Sequence, residues 1–267
     1  GVGGGGEYVE DVFSTYLYTG NSSTQTITNG IDLDGEGGLV WIKSRSDTYD
    51  GFFYDTERGA NKYLDTIWNG PEQTRASSLT AFNANGFSLG TWVGVNGSAS
   101  QTYASWTFRK APKFFDVVTY TGDGTTSNQI AHSLDATPGM IVVKRTDSTS
   151  NWAVAVYNGS YYDILQLNLT NGRLFTSSSY YTSTYFDAYA MFQQFTDVPA
   201  NDRMNVSGAT YVAYLWAHNA GGFGDDGEQN VISCGSFTTD GSGNATVDLG
   251  YEPQWVMNKT SVGTADN

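Results

Sequence analysis

The chain of 267 residues carries 13 Lys plus Arg against 27 Asp plus Glu, a formal net charge of −14. That balance repels nucleic-acid backbones and anionic lipid surfaces, so neither is expected as a partner. With 18 Tyr, 14 Phe, 7 Trp and 32 Gly, the composition is not that of a disordered chain. It suits short strands joined by tight turns.

The chain opens on a Gly-rich stretch, residues 1–12, read as a linker. Runs of aromatic and β-branched residues then predict strands at 14–20, 38–44, 51–56, 86–93 and 102–108. A second series follows at 115–122, 139–145, 151–157, 163–169 and 210–218. Helical periodicity is scarce. Its best candidates are 59–68 and 188–197, both short and equally readable as loops. Pro138 and Pro253 stand where a chain enters a strand.

The two series are copies. Ten residues separate Leu33 from Lys43, Leu134 from Lys144 and Leu249 from Lys259, with turn residues and an apolar run between. Tyr18-Thr19-Gly20 and Tyr120-Thr121-Gly122 open the first two copies. Lys43 and Lys144 are 101 residues apart, a normal domain length. The chain therefore divides into unit A (13–115), unit B (116–230) and the start of a truncated unit C (231–267). The fold class is all-β, as tandem β-sandwich-like domains of about 100–115 residues. A third copy that stops after its second strand, and an initial Gly, suggest a piece of a longer array.

Within the repeated strand, alternate residues point to opposite faces. Val40 and Ile42 oppose Leu39, Trp41 and Lys43; Ile141 and Val143 oppose Met140, Val142 and Lys144; Val256 and Asn258 oppose Trp255, Met257 and Lys259. The pattern predicts burial on both faces, with each lysine as a rim charge that discourages strand aggregation. Polar residues after each Tyr-Thr-Gly, then a second strand, predict a hairpin. Cys234, aligned with Tyr18 and Tyr120, is read as a small packed hydrophobe. It is the only cysteine, so an intrachain disulfide is excluded.

Candidate chemistry is sparse. His132 and His218 are the two histidines, without a nucleophile elbow beside them. Asp55, Glu57 and Asp163 at strand ends could form a glycosidase pair, against the simpler reading of acidic turns. The stretches 32–37 ("DLDGEG") and 225–228 ("DDGE") could hold calcium but lack the full spacing of a calcium hand. Asn-x-Ser/Thr occurs at Asn21, Asn96, Asn158, Asn168, Asn205, Asn244 and Asn258. No 18-residue apolar run is present. The aromatic residues Trp41, Trp92, Trp106, Tyr103, Tyr211, Trp216 and Trp255 are the candidates for stacking on a glycan or a protein surface. No enzyme, catalytic residue, metal site or cofactor is expected.

In order, "YTGNSSTQTITNGIDLDGEGGLVWIKSR", "FYDTERGANKYL", "LTAFNANGFSLG" and "YASWTFRKAPKFFDVVTYTG" resemble a tandem β-domain family of structural proteins of marine tailed bacteriophages, including cyanophages. "YVAYLWAHNAGGFGDDGEQNVISCGSF" is similar to the family's boundary between units. The resemblance implies a virion protein on the particle's exposed surface: a tail fibre, appendage or capsid-attached fibre, often labelled lectin-like. It implies homo-oligomers, with a trimer favoured by fibre analogy, contacts with other virion proteins, and host surface glycan as a further partner. The alternatives are a carbohydrate-binding adhesion module, a capsid decoration protein and, last, a polysaccharide depolymerase. Unit B departs from the pattern: "VYNGSYYDILQLNL" replaces the Asp-Thr-x-Arg-Gly-Ala segment that contains Asp55 and Arg58. That departure favours a structural ion pair in unit A.

Overall fold

The structure, a computed structural model, describes residues 7–125, 129–159, 162–176, 190–192 and 204–261. Unit A runs through one helical turn α1 (Val9–Val12), then β1 (Phe13–Thr19), β2 (Gln25–Thr28), β3 (Gly38–Ser44) and β4 (Gly51–Asp55). It continues with β5 (Lys62–Asp65), β6 (Gln73–Thr74), β7 (Leu79–Asn83), β8 (Gly86–Leu89), a second turn α2 (Val93–Asn96) and β9 (Thr102–Arg109). Unit B follows with β10 (Phe115–Thr121), β11 (Gln129–Ala131), β12 (Pro138–Arg145), β13 (Ala153–Tyr157), β14 (Tyr162–Gln166), β15 (Phe175–Thr176), β16 (Ala190–Phe192) and β17 (Thr210–Ala217). The fold is all-β, in antiparallel sheets.

The repeat is legible in the topology. Unit A forms a six-stranded sheet of order β1-β9-β3-β4-β5-β6, and unit B one of order β10-β17-β12-β13-β14-β15. Strand for strand the two correspond. In each, the last long strand of the unit (β9 or β17) inserts between the first strand and the lysine-bearing strand and pairs with both. Registers match as well: Tyr18 faces Tyr103, and Tyr120 faces Tyr211.

Alternation along these strands builds three cores. Val40, Ile42, Phe52 and Tyr54 turn inward in unit A, where β2, β8 and β7 form a second, three-stranded sheet over them. Ile141, Val143, Tyr211 and Ala213 do the same in unit B, with Ile130 of β11 against them. The opposite faces meet in one shared core: Leu39, Phe53 and Phe108 from unit A, and Met140, Val142, Tyr214 and Trp216 from unit B. Phe53 meets Trp152 and Tyr214 edge-on at 5.4 and 5.2 Å. Both repeated strands are thus buried on both faces, as their alternation predicts. The two units share a core rather than following one another as separate beads.

Several expectations are corrected. The stretch 59–68 contains β5, not helix, because Leu64 is fully buried in the shared core and Leu64 and Asp65 pair with Phe53 and Phe52 of β4. Of 188–197, residues 190–192 form β16, and the remainder lies outside the described residues. The predicted strand 86–93 ends at Leu89, short of the α2 turn. The Tyr-Thr-Gly turns do not make hairpins: β1 pairs with β9, whereas β2 pairs with β8 in the other sheet. Residues 7–12 are docked, with Val12 fully buried. They meet the second Gly-rich stretch, where Gly224 N–H donates to the Glu7 carbonyl at 2.9 Å and Phe223 is buried in the same core. Residues 231–261 hold no strand. They run along units A and B, and Trp255 packs edge-on against Trp41 and Phe108.

Candidate functional site between the two units

The join between the units is polar at one end. After β4 the chain turns sharply, and Arg58 folds back beside Asp55: Nε donates to Asp55 Oδ2 at 2.6 Å, and the Arg58 backbone N–H donates to Oδ1 at 2.9 Å. Both side chains are buried. Arg58 Nη2 also donates to the Phe53 carbonyl at 3.0 Å and to Tyr214 Oη at 3.3 Å, and Nη1 lies 3.4 Å from Glu72. Tyr214, on β17 of unit B, donates its hydroxyl to Asp55 Oδ2 at 2.7 Å. Burial by itself would lower the Arg58 pKa, but Asp55 beside it more than offsets this and holds the guanidinium charged. Burial likewise pushes the Tyr214 phenol up. The ion pair expected from Asp55 and Arg58 is present, and it ties two units together.

Backbone bonds continue the join. Glu72 N–H donates to the Thr146 carbonyl at 2.9 Å, and Ser150 N–H to the Asn69 carbonyl at 2.8 Å. Trp152 Nε1 donates to the Asp65 carbonyl at 2.9 Å. Beside these contacts opens a groove of about 530 Å³. Unit A contributes Glu57, Arg58, Lys62 and Glu72; unit B contributes Thr119, Tyr120, Thr121, Thr146, Asp147, Thr210 and Tyr211. Lys62 pairs with Glu72 at 3.3 Å, and Thr146 and Thr210 share a hydroxyl bond of 2.7 Å. The lining holds donors (Arg58, Lys62), acceptors (Glu57, Glu72, Asp147) and threonine hydroxyls that can be either, so the groove can bond a neutral polyhydroxylated ligand in both directions.

Lys144 was expected at a rim and is instead fully buried. Its Nζ donates to the Arg145 carbonyl at 2.7 Å. Burial lowers its pKa to about 7, with Arg145 and Arg58 pushing the same way and Asp147 opposing them. Lys43 and Lys259 also donate to backbone carbonyls, those of Tyr49 and Leu169, from partly buried positions. The repeated lysine is therefore a backbone clamp.

The aromatic candidates are mostly occupied. Tyr103, Tyr211 and Trp216 are buried, so their rings have no free face for a sugar. Trp41, Trp106 and Trp255 pack against the shared core, partly exposed. Trp92 carries the Arg75 guanidinium 4.6 Å above its ring. Trp68, 46% exposed, is an open indole that sequence reasoning passed over. Glu57 pairs with Lys110 at 2.8 Å, and Asp163 with Arg173 at 3.2 Å. His132 Nδ1 accepts the Leu134 N–H at 3.3 Å, just as Asn29 Oδ1 accepts that of Ile31. His218 Nδ1 accepts the Cys234 N–H at 3.0 Å. Cys234 packs on the shared core, and burial raises its thiol to about 12. Asp32 and Asp226 each accept a backbone N–H within their own turn. Among the described residues, no three His, Cys, Asp or Glu side chains gather as metal ligands.

Two asparagines matter more than their sequence context suggested. Asn96 Oδ1 accepts the Asn21 N–H at 3.0 Å, and its amide donates to the Ser23 and Gly90 carbonyls at 2.5 and 2.8 Å. Asn205 Oδ1 accepts the Asp123 N–H at 2.8 Å, and its amide donates to the Thr125 carbonyl at 2.6 Å. Both hold the turn after Tyr-Thr-Gly, which sends the chain from one sheet to the next. Their signal was available: each precedes the tyrosine of the central strand by six or seven residues.

No curated protein and no solved structure matches the chain. One family model does match, over residues 9–267, and its description is Domain of unknown function (DUF7483). With nearly its whole length inside that match, the chain belongs to the DUF7483 family.

Proposed function

We propose that the chain is a structural virion protein of a tailed bacteriophage, part of a tail fibre, appendage or capsid-attached fibre that assembles and presents a host-binding surface. The observation that carries this reading is the shared core. Two repeat units joined by Phe53, Tyr214, Phe108 and Trp216, and locked by the Asp55–Arg58–Tyr214 cluster, transmit load through packed side chains rather than through a linker. The ordered motifs that resemble marine phage structural proteins point the same way. Immunogold labelling of intact particles that carry the chain tests it. Label at a tail or fibre tip supports host recognition. Label over the capsid places the chain there as a decoration or capsid-attached fibre. Absence of label on any particle overturns the virion reading in favour of a cell-surface adhesin. Trimer formation, the favoured assembly, is tested by light scattering, and a clean monomer counts against it.

A second reading, carbohydrate binding, is favoured by the inter-unit groove with its threonine hydroxyls, Glu57 and Asp147. A glycan array probes it. Binding to a polysaccharide that is lost on Thr146→Val would support the groove as the site, and silence across bacterial polysaccharides would remove this reading.

A further inference from the structure

The loop from β5 to β6 presents an indole to solvent, and its backbone is fixed at both ends. Thr66 N–H and Oγ1 both donate to the Gly51 carbonyl, at 2.9 and 3.0 Å. Trp152 Nε1 is shared between the carbonyls of Asp65 and Trp68, at 2.9 and 3.2 Å. Ser150 N–H donates to the Asn69 carbonyl at 2.8 Å, and Glu72 N–H to the Thr146 carbonyl at 2.9 Å. The partners run in opposite order, 68 with 152, 69 with 150 and 72 with 146. The loop therefore lies antiparallel along residues 146–152 of unit B.

The Trp68 ring is seated as well. A Cβ built on Gly70 would lie 2.1, 2.2 and 2.3 Å from three neighbouring atoms of its six-membered ring. Nearly equal distances put the face of the ring, not its edge, over the glycine. Gly70 is buried beneath it, while Trp68 stays half exposed and Ile67 beside it is more exposed still. One face of the indole thus rests on backbone and the other is open. Such a ring has little side-chain freedom left to lose when a ligand covers it. The far end of the same loop is a wall of the inter-unit groove, through Glu72 and its partner Thr146. Four residues separate Trp68 from Glu72, so their backbones are within about 14 Å even at full extension.

We propose that the groove and the open face of Trp68 are successive subsites for one uncharged oligosaccharide chain. The proposal rests on the carbohydrate reading of the groove and adds to it a second subsite and a ligand class. In the groove, threonine hydroxyls and the spare lone pairs of the carboxylates bond sugar hydroxyls in both directions. On Trp68, the C–H face of a pyranose ring stacks against the electron-rich indole. Charge selects the class. Glu57 pairs with Lys110, Glu72 with Lys62 and Arg58, and Asp147 with Arg145. Every charged group of the lining is thus already matched, Arg58 by Asp55 as well. A uronate would enter with an unmatched negative charge, on a chain whose net charge is already −14.

The test applies the whole chain to an array of neutral bacterial polysaccharides (glucans, mannans, galactans) and uronate-bearing ones, then titrates oligosaccharides of a bound glycan by calorimetry. Binding to neutral members is expected, with an affinity that added salt leaves unchanged. Trp68→Ala should weaken a long oligosaccharide about tenfold and leave a disaccharide held in the groove unaffected. Trp68→Phe should retain most of the affinity. The side chain of Trp68 is half exposed and the loop is anchored through its carbonyl, so the fold survives replacement, which near-UV circular dichroism checks. Loss of binding in Thr146→Val with none in Trp68→Ala would overturn the second subsite and leave the groove reading standing. Equal weakening of long and short ligands in Trp68→Ala would make the indole a structural residue and overturn the proposal too. Binding confined to uronate-bearing polysaccharides would overturn the ligand class, and silence across the array would remove the groove reading and this proposal together.

Discussion

Units A and B close their inner cores with the same parts and meet each other with different ones. In both, a buried asparagine clasps the turn after Tyr-Thr-Gly, and paired tyrosines stack beside it. At the join, unit A supplies the Asp55–Arg58 pair, whereas the partner atom in unit B is the Tyr214 hydroxyl. Lys43 and Lys144 occupy one place in the repeat, yet only Lys144 is fully buried. The difference shows which constraints belong to a unit and which to the assembly of two. A unit must bury its own sheet-to-sheet turn, so the clasp repeats. The join brings different surfaces of the two units together, so its two sides are free to diverge.

The largest expected effect breaks the join. Arg58→Met strands the Asp55 carboxylate in the interior and should cost about 3–5 kcal/mol in denaturant unfolding. Adding Asp55→Asn to it should recover part of that loss, because the two groups act as one pair. Next comes the clasp. Asn96→Ala and Asn205→Ala each remove the partner of a part-buried N–H and carbonyl and should each cost about 1–2 kcal/mol. Equal losses would sharpen the equivalence of the two units; a loss in only one would break it.

Third is the lysine. Lys144 binds its proton less tightly when folded than when unfolded, where its ordinary value is 10.5. Between pH about 7 and 10.5 the unfolded chain holds the extra proton, so stability should rise with pH across that window. Lys144→Met should flatten this rise and stabilise the protein by about 2 kcal/mol near pH 7. Lys43→Met, at a partly exposed site, should not bring that gain in stability. Thermal melts across the pH range separate the two. The smallest effect is at Glu57, whose pair with Lys110 is partly exposed. Glu57→Gln should change stability by less than about 1 kcal/mol.

Most strands and the repeat itself were legible in the chain. Alternation such as Leu39-Val40-Trp41-Ile42 is a local signal, fixed by the two-residue period of an extended backbone. It also foretold burial on both faces of β3 and β12. Pairing was not local. Tyr-Thr-Gly and its polar turn read as a hairpin, but Asn96 and Asn205, 75 and 82 residues from the turns they hold, direct the next strand into another sheet. The Gly-rich stretch 1–12 read as a linker because glycine frequency says nothing of where Val12 anchors.

By itself, then, the sequence determined the all-β class, the repeat, the strand faces and the net negative charge. Each follows from backbone periodicity or from summed charge. Tertiary structure alone decided that the two units share one core, that Arg58 finds Tyr214 across the join, and that Lys144 lies buried where Lys43 does not. Those outcomes depend on which surfaces meet, and contact between residues far apart in the chain leaves no period for a sequence to show.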